Sequence, residues 1–142
     1  MTEILTDIDI LARTIWGEAR GQGRKGMRAV AHVVINRVRL ARVRGGMWWG
    51  DDVVSVCQKP YQFSCWNKND PNREKLLAVT NKNATFRQCL AIADAVLGGV
   101  DTDDPTYGAT HYHRYDIAPI WSRGITPITR IRDHMFFDLS DE

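Results

Sequence analysis

The sequence predicts an α+β fold in which helices dominate, built as a single domain over residues 1–142. Apolar residues recur at intervals of three and four along most of the first hundred positions, which is the period of a buried helix face. Alternating apolar and polar residues, typical of strands, occur only in short segments after residue 108. The 142 residues, 44% of them hydrophobic, suit one core of ordinary domain size, and no repeat or linker divides the chain.

The first helix is predicted to begin at about Ile8, where Thr6 or Asp7 offers a side-chain oxygen as N-cap. Its apolar side chains recur every three or four residues. Continuing that spacing brings Glu18 onto the same face, in the last turn before Gly21 ends the helix. The pattern therefore aims a carboxylate at the core side.

The middle of the chain combines clear and ambiguous signals. Residues 25–40 carry apolar side chains at helical spacing and predict a second, largely buried helix. The short apolar run 53–56 fits either a helical turn or a strand, and both remain open. Segment 60–71 is rich in aromatic and amide side chains and predicts an irregular loop, a kind of segment that often carries binding residues.

The last part of the chain predicts two more helices and a short strand. Residues 71–79 predict a short helix with proline in its first turn. Asn83 predicts the N-cap of a longer helix, which Gly98 ends. A short strand over 109–113 and a final segment at 134–137 complete an α+β inventory.

Charge and hydropathy exclude several classes of partner. Nineteen basic and seventeen acidic residues leave a formal net charge of +2, too small to indicate nucleic acid. The basic residues concentrate between positions 20 and 44, which predicts either one positive face suited to an anionic polymer or a solvated helix surface. No apolar run reaches the length of a membrane span, so we expect no stable membrane insertion, and we expect a monomer.

The cysteines and histidines raise two alternatives for the chemistry. The chain has three cysteines: Cys57, Cys65 and Cys89. No Cys-x-x-Cys pair is present, which argues against structural zinc, while a Cys57–Cys65 disulfide and free thiols both remain open. Cys65 with a histidine would be a candidate thiol nucleophile. His111 and His113 on one strand, with His134 as a third ligand, would be a candidate zinc site.

Glu18 is the position most informative about chemistry. A carboxylate held on an apolar face loses hydration of its charged form, which favours the protonated state that a general acid requires. The structural alternative is a surface glutamate that pairs with Arg13, Arg20 or Arg28. Tryptophans concentrated in the predicted loops add flat faces on which sugar rings can stack, and they favour a cleft for a polar polymer.

Four short segments and one tryptophan occur in a characteristic order along the chain. Residues 12–21 read ARTIWGEARG, residues 62–64 read QFS, residues 108–113 read GATHYH and residues 134–137 read HMFF, with Trp121 before the last. In this order they resemble the spore cortex-lytic, SleB-type cell-wall hydrolase family. The resemblance covers nearly the whole chain, and its motifs are specific as a set.

The resemblance implies a lysozyme-like domain, similar to goose-type lysozyme, that cleaves the MurNAc–GlcNAc bond of peptidoglycan without metal or cofactor. Glu18 matches the glutamate at the end of the first helix. It would act as general acid and then as base, as in a lytic transglycosylase that forms 1,6-anhydro-muramyl ends. The residues expected to bind substrate or line the cleft are Gln62, Phe63, Ser64, Trp66, His111, Tyr112, Trp121 and His134.

Other functions remain open beside this one. A muramidase would use water and give reducing ends, and a two-carboxylate glycosidase needs a partner about 5 to 9.5 Å away that no motif supplies. A Cys- or metal-dependent amidase or peptidase and a non-catalytic wall-binding module are further alternatives. The acidic first seven residues lack the features of a signal peptide. We therefore expect synthesis in the cytoplasm and a phage-endolysin-like role, with release to the wall by a holin or transport in a phage-like particle.

Overall fold

The computed structural model describes residues 2–140, with side chains from residue 6 onward. The beginning of the segment used to judge export therefore lies outside the described residues. Within this range the helices are α1 (Thr2–Ala19), α2 (Gly23–Val43), α3 (Val53–Gln58), α4 (Pro71–Ala78) and α5 (Ala84–Leu97). The strands are β1 (His111–Arg114), β2 (Thr129–Ile131) and β3 (His134–Phe137), and single 3-10 turns lie at Ser64–Trp66 and Ile120–Ser122.

Helices α1, α2 and α5 pack against one another and enclose the core. Their apolar stripes face inward, as the spacing predicts. The most deeply buried side chains of these helices include Leu11, Ile15, Val30, Val34 and Ala93. Most of α2 is buried, which confirms its predicted central place.

The three strands form a small antiparallel sheet in the order β1-β3-β2. His111 pairs with Phe137, and Arg114 pairs with His134. Because side chains alternate along a strand, Tyr112 and His134 share one face of the sheet and His111 lies on the opposite face. This alternation decides which of the predicted site residues can meet Glu18.

The beginning of the first helix differs from the prediction. Helix α1 already starts at Thr2 rather than at Ile8, so neither Thr6 nor Asp7 is its N-cap. Thr and Asp cost only a few tenths of a kcal/mol inside a helix, so a capping residue does not stop a helix whose preceding residues also favour it. The end of α1 is as predicted, and Glu18 lies in its last turn.

The other helices follow their sequence signals closely. Helix α2 contains the whole predicted segment, α4 begins at Pro71, and the Asn83 side chain caps α5 by accepting a hydrogen bond from the Phe86 N–H at 2.9 Å. The ambiguous run 53–56 is helical, because Asp52 and Ser55 form a capping box at its start.

Strand β2 was not predicted from the sequence. It is three residues long and joins β3 through Arg132 and Asp133, with Arg132 at φ +50°. Neither residue belongs to the Asn-Gly or Asp-Gly pairs that signal a tight hairpin. Gln22, at the α1–α2 junction, fixes the turn by exchanging hydrogen bonds of 3.0 Å with Asp133.

Two of the basic residues between positions 20 and 44 are paired or buried rather than displayed on an open positive face. The Arg28 guanidinium pairs with the Asp101 carboxylate at 2.6 Å, and this pairing holds the pKa of Asp101 well below its ordinary value. Arg37 is buried in the interior. His32 is a core histidine, as expected, and its Nε2 lies 3.3 Å from Asp101.

All three cysteines are free and buried. The alternative of a Cys57–Cys65 disulfide is therefore wrong. Burial raises the pKa of the Cys57 and Cys89 thiols to about 12. These two side chains fill the core as small apolar groups.

Candidate active site

Glu18 is half-buried at the C-terminal end of α1, where the helix meets the 3-10 turn Ser64–Trp66. The close approach depends on Gly17. A Cβ atom at Gly17 would lie 2.8 Å from the Cβ and 2.9 Å from the Sγ of Cys65, which real Cβ atoms do not tolerate. With glycine there, the Cys65 backbone N–H donates a hydrogen bond to Glu18 Oε2 at 3.1 Å.

Tyr112 holds the other oxygen of the same carboxylate. Its hydroxyl donates a short hydrogen bond to Glu18 Oε1 at 2.5 Å. Burial and the neighbouring Glu18 raise the pKa of Tyr112 well above its ordinary value, so the phenol keeps its proton. The ring is fixed from behind by His134 at 4.7 Å and Phe136 at 5.6 Å between centroids.

Glu18 opens into a cleft of about 410 Å³ between the helical part and the sheet. Of the residues expected to bind substrate, six line this cleft: Gln62, Phe63, Ser64, Tyr112, Trp121 and His134. Among the described residues that line it, Glu18 is the only carboxylate. The cleft therefore offers one acid, several hydrogen-bond donors and aromatic faces.

Trp66 and His111 do not line this cleft. The Trp66 indole N–H donates to Thr14 Oγ1 at 2.9 Å, and Trp66 lines a second depression that Glu18 does not line. His111 lies on the sheet face opposite Tyr112, between the rings of Trp49 and Trp121 at 5.8 and 5.1 Å. Strand alternation accounts for His111, since neighbours on a strand cannot both face Glu18.

The geometry does not favour the zinc alternative. His134 projects from the face of Tyr112, whereas His111 and His113 project from the other face, where both contact Trp121. In the described part of the chain, no group of three or more His, Cys, Asp or Glu side chains is placed to hold a metal. Burial lowers the pKa of His134 to about 4 and that of His111 to about 3, so both are neutral at pH 7.

The environment of Cys65 does not favour the alternative in which this thiol is the nucleophile. Its side chain is 1% exposed. Burial raises the pKa of Cys65 far above its ordinary value, and the Glu18 carboxylate raises it further. A nucleophilic cysteine needs the thiolate, which cationic neighbours favour and which this site disfavours.

Several residues that line the cleft were not predicted from the sequence, among them Arg37 and Asn72. Arg37 donates to the Thr110 carbonyl oxygen at 2.6 Å and to Gln62 Oε1 at 3.3 Å. Arg20 donates to Asn72 Oδ1 at 2.8 Å. Because an arginine only donates, the carbonyl oxygen of each amide must face it, and the amide NH₂ groups of Gln62 and Asn72 are then the donors left for the cleft.

Arg37 had a sequence signal that could have been used. An arginine within the buried stripe of a helix needs several acceptors, because an unpaired buried charge is costly. Asn72 had no comparable signal, since its partner Arg20 is 52 residues away in the chain.

A family model described as Cell Wall Hydrolase matches residues 21–137. The chain belongs to the cell wall hydrolase family. Among curated members, the spore cortex-lytic enzyme of Halalkalibacterium halodurans is 32% identical over 133 residues, which cover 92% of this chain and 34% of the relative. The spore cortex-lytic enzyme of Bacillus subtilis is 28% identical over 131 residues, or 92% and 37% of the two chains. The chain thus spans about a third of the length of these relatives.

Two solved structures of this family resemble the whole fold. The catalytic domain of the germination-specific lytic transglycosylase SleB from Bacillus anthracis matches with a TM-score of 0.67 and 28% identity, covering 93% of each chain. The catalytic domain of the Bacillus cereus SleB protein matches with a TM-score of 0.64 and 26% identity, covering 94% of this chain and 91% of that one. The predicted mainly helical, lysozyme-like α+β fold is thereby confirmed.

Glu18 lies just before the segment that the cell wall hydrolase model matches. The similarity to the Halalkalibacterium relative nevertheless includes it, because the unmatched part of this chain is shorter than the segment that precedes Glu18. In the part of the chain that the structure describes, no helix is both long enough and apolar enough to cross a membrane.

Proposed function

We propose that this chain cleaves the MurNAc–GlcNAc bond of peptidoglycan as a lytic transglycosylase, with Glu18 as general acid and then general base. The observation that carries the proposal is the Glu18 carboxylate, which Tyr112 and the Cys65 N–H hold at the wall of an open cleft. Membership of the cell wall hydrolase family and similarity to the catalytic domain of a lytic transglycosylase support the same chemistry.

The reaction needs only one carboxyl group. In the first step Glu18 gives its proton to the glycosidic oxygen, and the bond between that oxygen and C1 of the muramyl residue breaks. In the second step the Glu18 carboxylate takes the proton of the muramyl C6 hydroxyl, whose oxygen bonds to C1 and closes the 1,6-anhydro ring. Glu18 regains its proton, and no water is consumed.

The composition of the cleft supports the transglycosylase over a glycosidase that uses two carboxylates. Such glycosidases place a second Asp or Glu about 5 to 9.5 Å from the first, as nucleophile or as base for water. Glu18 has no such partner among the described residues that line the cleft. An internal hydroxyl as nucleophile removes the need for one.

We infer that the glycan is positioned by two amide groups and one aromatic ring. Gln62 and Asn72, oriented by Arg37 and Arg20, would donate to N-acetyl or hydroxyl oxygens of the sugars. The half-buried Trp121 offers a face on the opposite wall.

The remaining residues that were expected to bind substrate have different proposed roles. Ser64 is exposed at the rim, and its hydroxyl is free to contact a sugar. Phe63 is 2% exposed and shapes the cleft from within the core, and His134 supports the Tyr112 ring. We propose no contact between the glycan and either Trp66 or His111.

We further propose that residues 1–142 act as one catalytic domain on the cell wall. One continuous cluster of buried residues from α1 to β3 supports this, as does the coverage of 93% of a solved catalytic domain. The monomeric state and delivery by a holin or a phage-like particle stay predictions.

The proposal is tested by mass spectrometry of the fragments that the wild type and Glu18→Gln release from purified sacculi. We expect 1,6-anhydro-muramyl ends from the wild type and a rate at least about a hundredfold lower for Glu18→Gln, the usual contribution of a general acid. Equal melting temperatures of the two proteins serve as the control for folding. Reducing muramyl ends would shift the reaction to hydrolysis and make the protein a muramidase.

The remaining alternatives give different results in the same assay. An amidase or peptidase would release free peptides, and its activity would survive Glu18→Gln but be lost in Cys65→Ala or with a chelator. A wall-binding module would sediment with sacculi and leave their turbidity unchanged. Either result would overturn the proposed function.

A further inference from the structure

A second depression, larger than the Glu18 cleft, lies outside that cleft. It has a volume of about 900 Å³, compared with about 410 Å³ for the cleft, and Glu18 does not line it. Its lining includes two aromatic and three charged residues and one amide: Tyr61, Trp66, Lys68, Asp70, Arg73 and Asn67. The proposed cleavage mechanism makes no use of this second depression.

One segment of chain separates the two cavities. Ser64 and Asn72 line the cleft, whereas Trp66 and Arg73 line the outer depression. Asn72 and Arg73 are neighbours in the chain, so their Cα atoms are only about 3.8 Å apart. A molecule bound in the cleft therefore needs to cross only the 64–73 segment to reach the outer depression.

Two aromatic side chains, Trp66 and Tyr61, line the outer depression. The Trp66 ring is held in place by its hydrogen bond to Thr14. Tyr61 is 84% exposed at the rim, and its backbone N–H donates to Asn67 Oδ1 at 3.2 Å. An exposed ring beside a fixed one offers flat apolar surface to a ligand with amide planes or short side chains.

The charges of the outer depression favour an anionic ligand. Lys68 and Arg73 both line it, and neither takes part in an ion pair of the described residues. The carboxylate nearest in sequence, Asp70, accepts the Asn72 N–H at 2.8 Å as the N-cap of α4. Two cations thus face the depression without an acidic partner from the described chain.

We propose that the outer depression binds the peptide branch of peptidoglycan, with Lys68 and Arg73 pairing with its free carboxylates. This inference rests on the proposed function. The peptide is attached to the muramyl residue through its lactyl group, so a glycan in the cleft carries its branch to the surface beside the cleft. A helix with its side chains is about 10–12 Å across, a distance that three or four extended residues span.

The test compares two substrates with two pairs of variants. The substrates are glycan strands that carry peptides and the same strands stripped of peptides by an amidase. Lys68→Ala/Arg73→Ala removes the two cations, and Arg39→Ala/Lys82→Ala removes the same charge at exposed positions that do not line the outer depression. The measurement is kcat/KM for the release of muramyl ends.

We expect Lys68→Ala/Arg73→Ala to lower kcat/KM on peptide-bearing strands by about twofold to thirtyfold, the range for two exposed ion pairs, and to leave kcat/KM on stripped strands unchanged. Arg39→Ala/Lys82→Ala should leave both substrates unaffected. The inference would be overturned if Lys68→Ala/Arg73→Ala left kcat/KM unchanged on both substrates, or lowered it equally on both. A wild type that cleaves neither substrate would instead overturn the proposed function.

Discussion

Two hydrogen bonds at Glu18 connect three distant parts of the chain at one carboxylate. The Tyr112 hydroxyl and the Cys65 N–H each bind a different oxygen, so the carboxyl plane has little freedom to rotate. Both donors contribute to orienting the group toward the cleft. A catalytic acid is effective only when it is held within hydrogen-bond reach of the atom it protonates.

Tyr112→Phe is expected to lower the rate of glycan cleavage about tenfold to a hundredfold. The change removes a hydrogen bond to the carboxylate that Glu18 becomes when it gives up its proton, and such a bond contributes about 1.5 to 3 kcal/mol. The ring contacts with His134 and Phe136 remain, so the melting temperature should change by only a few degrees. A wild-type rate of release from sacculi would show that this hydrogen bond does not serve the reaction.

Gly17→Ala is expected to destabilise the protein by about 1 to 3 kcal/mol and to lower activity, because the added methyl group would overlap Cys65 and push the 3-10 turn away from Glu18. Gly21→Ala is the matched control, since a Cβ atom there meets nothing within 4 Å. Urea unfolding and sacculus turbidity measure the two effects. Equal stability of the two variants would contradict the close-approach argument.

Arg37, on helix α2, forms hydrogen bonds to segments on both walls of the cleft. The guanidinium binds the Thr110 carbonyl oxygen just before β1 and the Gln62 side chain in the loop before α4. It also lies over the rings of Trp49 and Phe63, at 5.2 and 5.4 Å from their centroids. One side chain thereby sets the relative position of two elements that carry site residues.

Arg37→Lys is expected to cost about 2 to 3 kcal/mol of stability and at least a tenfold loss of activity. Lysine keeps the charge but lacks the planar fork that reaches two acceptors and stacks on aromatic rings. Arg39→Lys, on the exposed side of the same helix, should leave both quantities unchanged. If the free energies of unfolding of the two variants agree, Arg37 does not connect the two walls.

The stability of the whole molecule depends on keeping two buried histidines neutral. Burial lowers the pKa of His111 to about 3 and that of His134 to about 4, and the nearby Arg37 and Arg114, respectively, lower them further. Below the ordinary pKa of about 6.5, the unfolded chain binds protons that the folded protein excludes. The free energy of unfolding therefore falls as the pH drops from about 6.5 toward 4.

Between pH 7 and pH 5 we expect a loss of about 2 kcal/mol for each of the two histidines, measured by urea unfolding at both pH values. His134→Gln should show about half of the wild-type pH dependence, whatever its stability at pH 7. A wild-type free energy of unfolding that is equal at pH 7 and pH 5 would rule out this account.

Much of the fold could be predicted from local signals. The apolar period of α2, Pro71 in the first turn of α4, the N-cap Asn83 and the position of Glu18 in the last turn of α1 are all set by neighbours in the chain. The first turns of α1 and the three-residue strand β2 could not be predicted. A capping residue type permits a helix start without requiring one, and β2 depends on pairing with β3.

The candidate site, like the fold, could be predicted only in part from the sequence. The residue types around Glu18 and the motifs they form identified the family and the candidate acid from the sequence. Which residues meet Glu18 depended on the tertiary structure, because Tyr112 is 94 residues and Cys65 is 47 residues away along the chain. Period and propensity describe neighbours within a few residues, whereas strand alternation and the packing of Gly17 on Cys65 decided that Tyr112 faces the cleft and His111 and Trp66 do not.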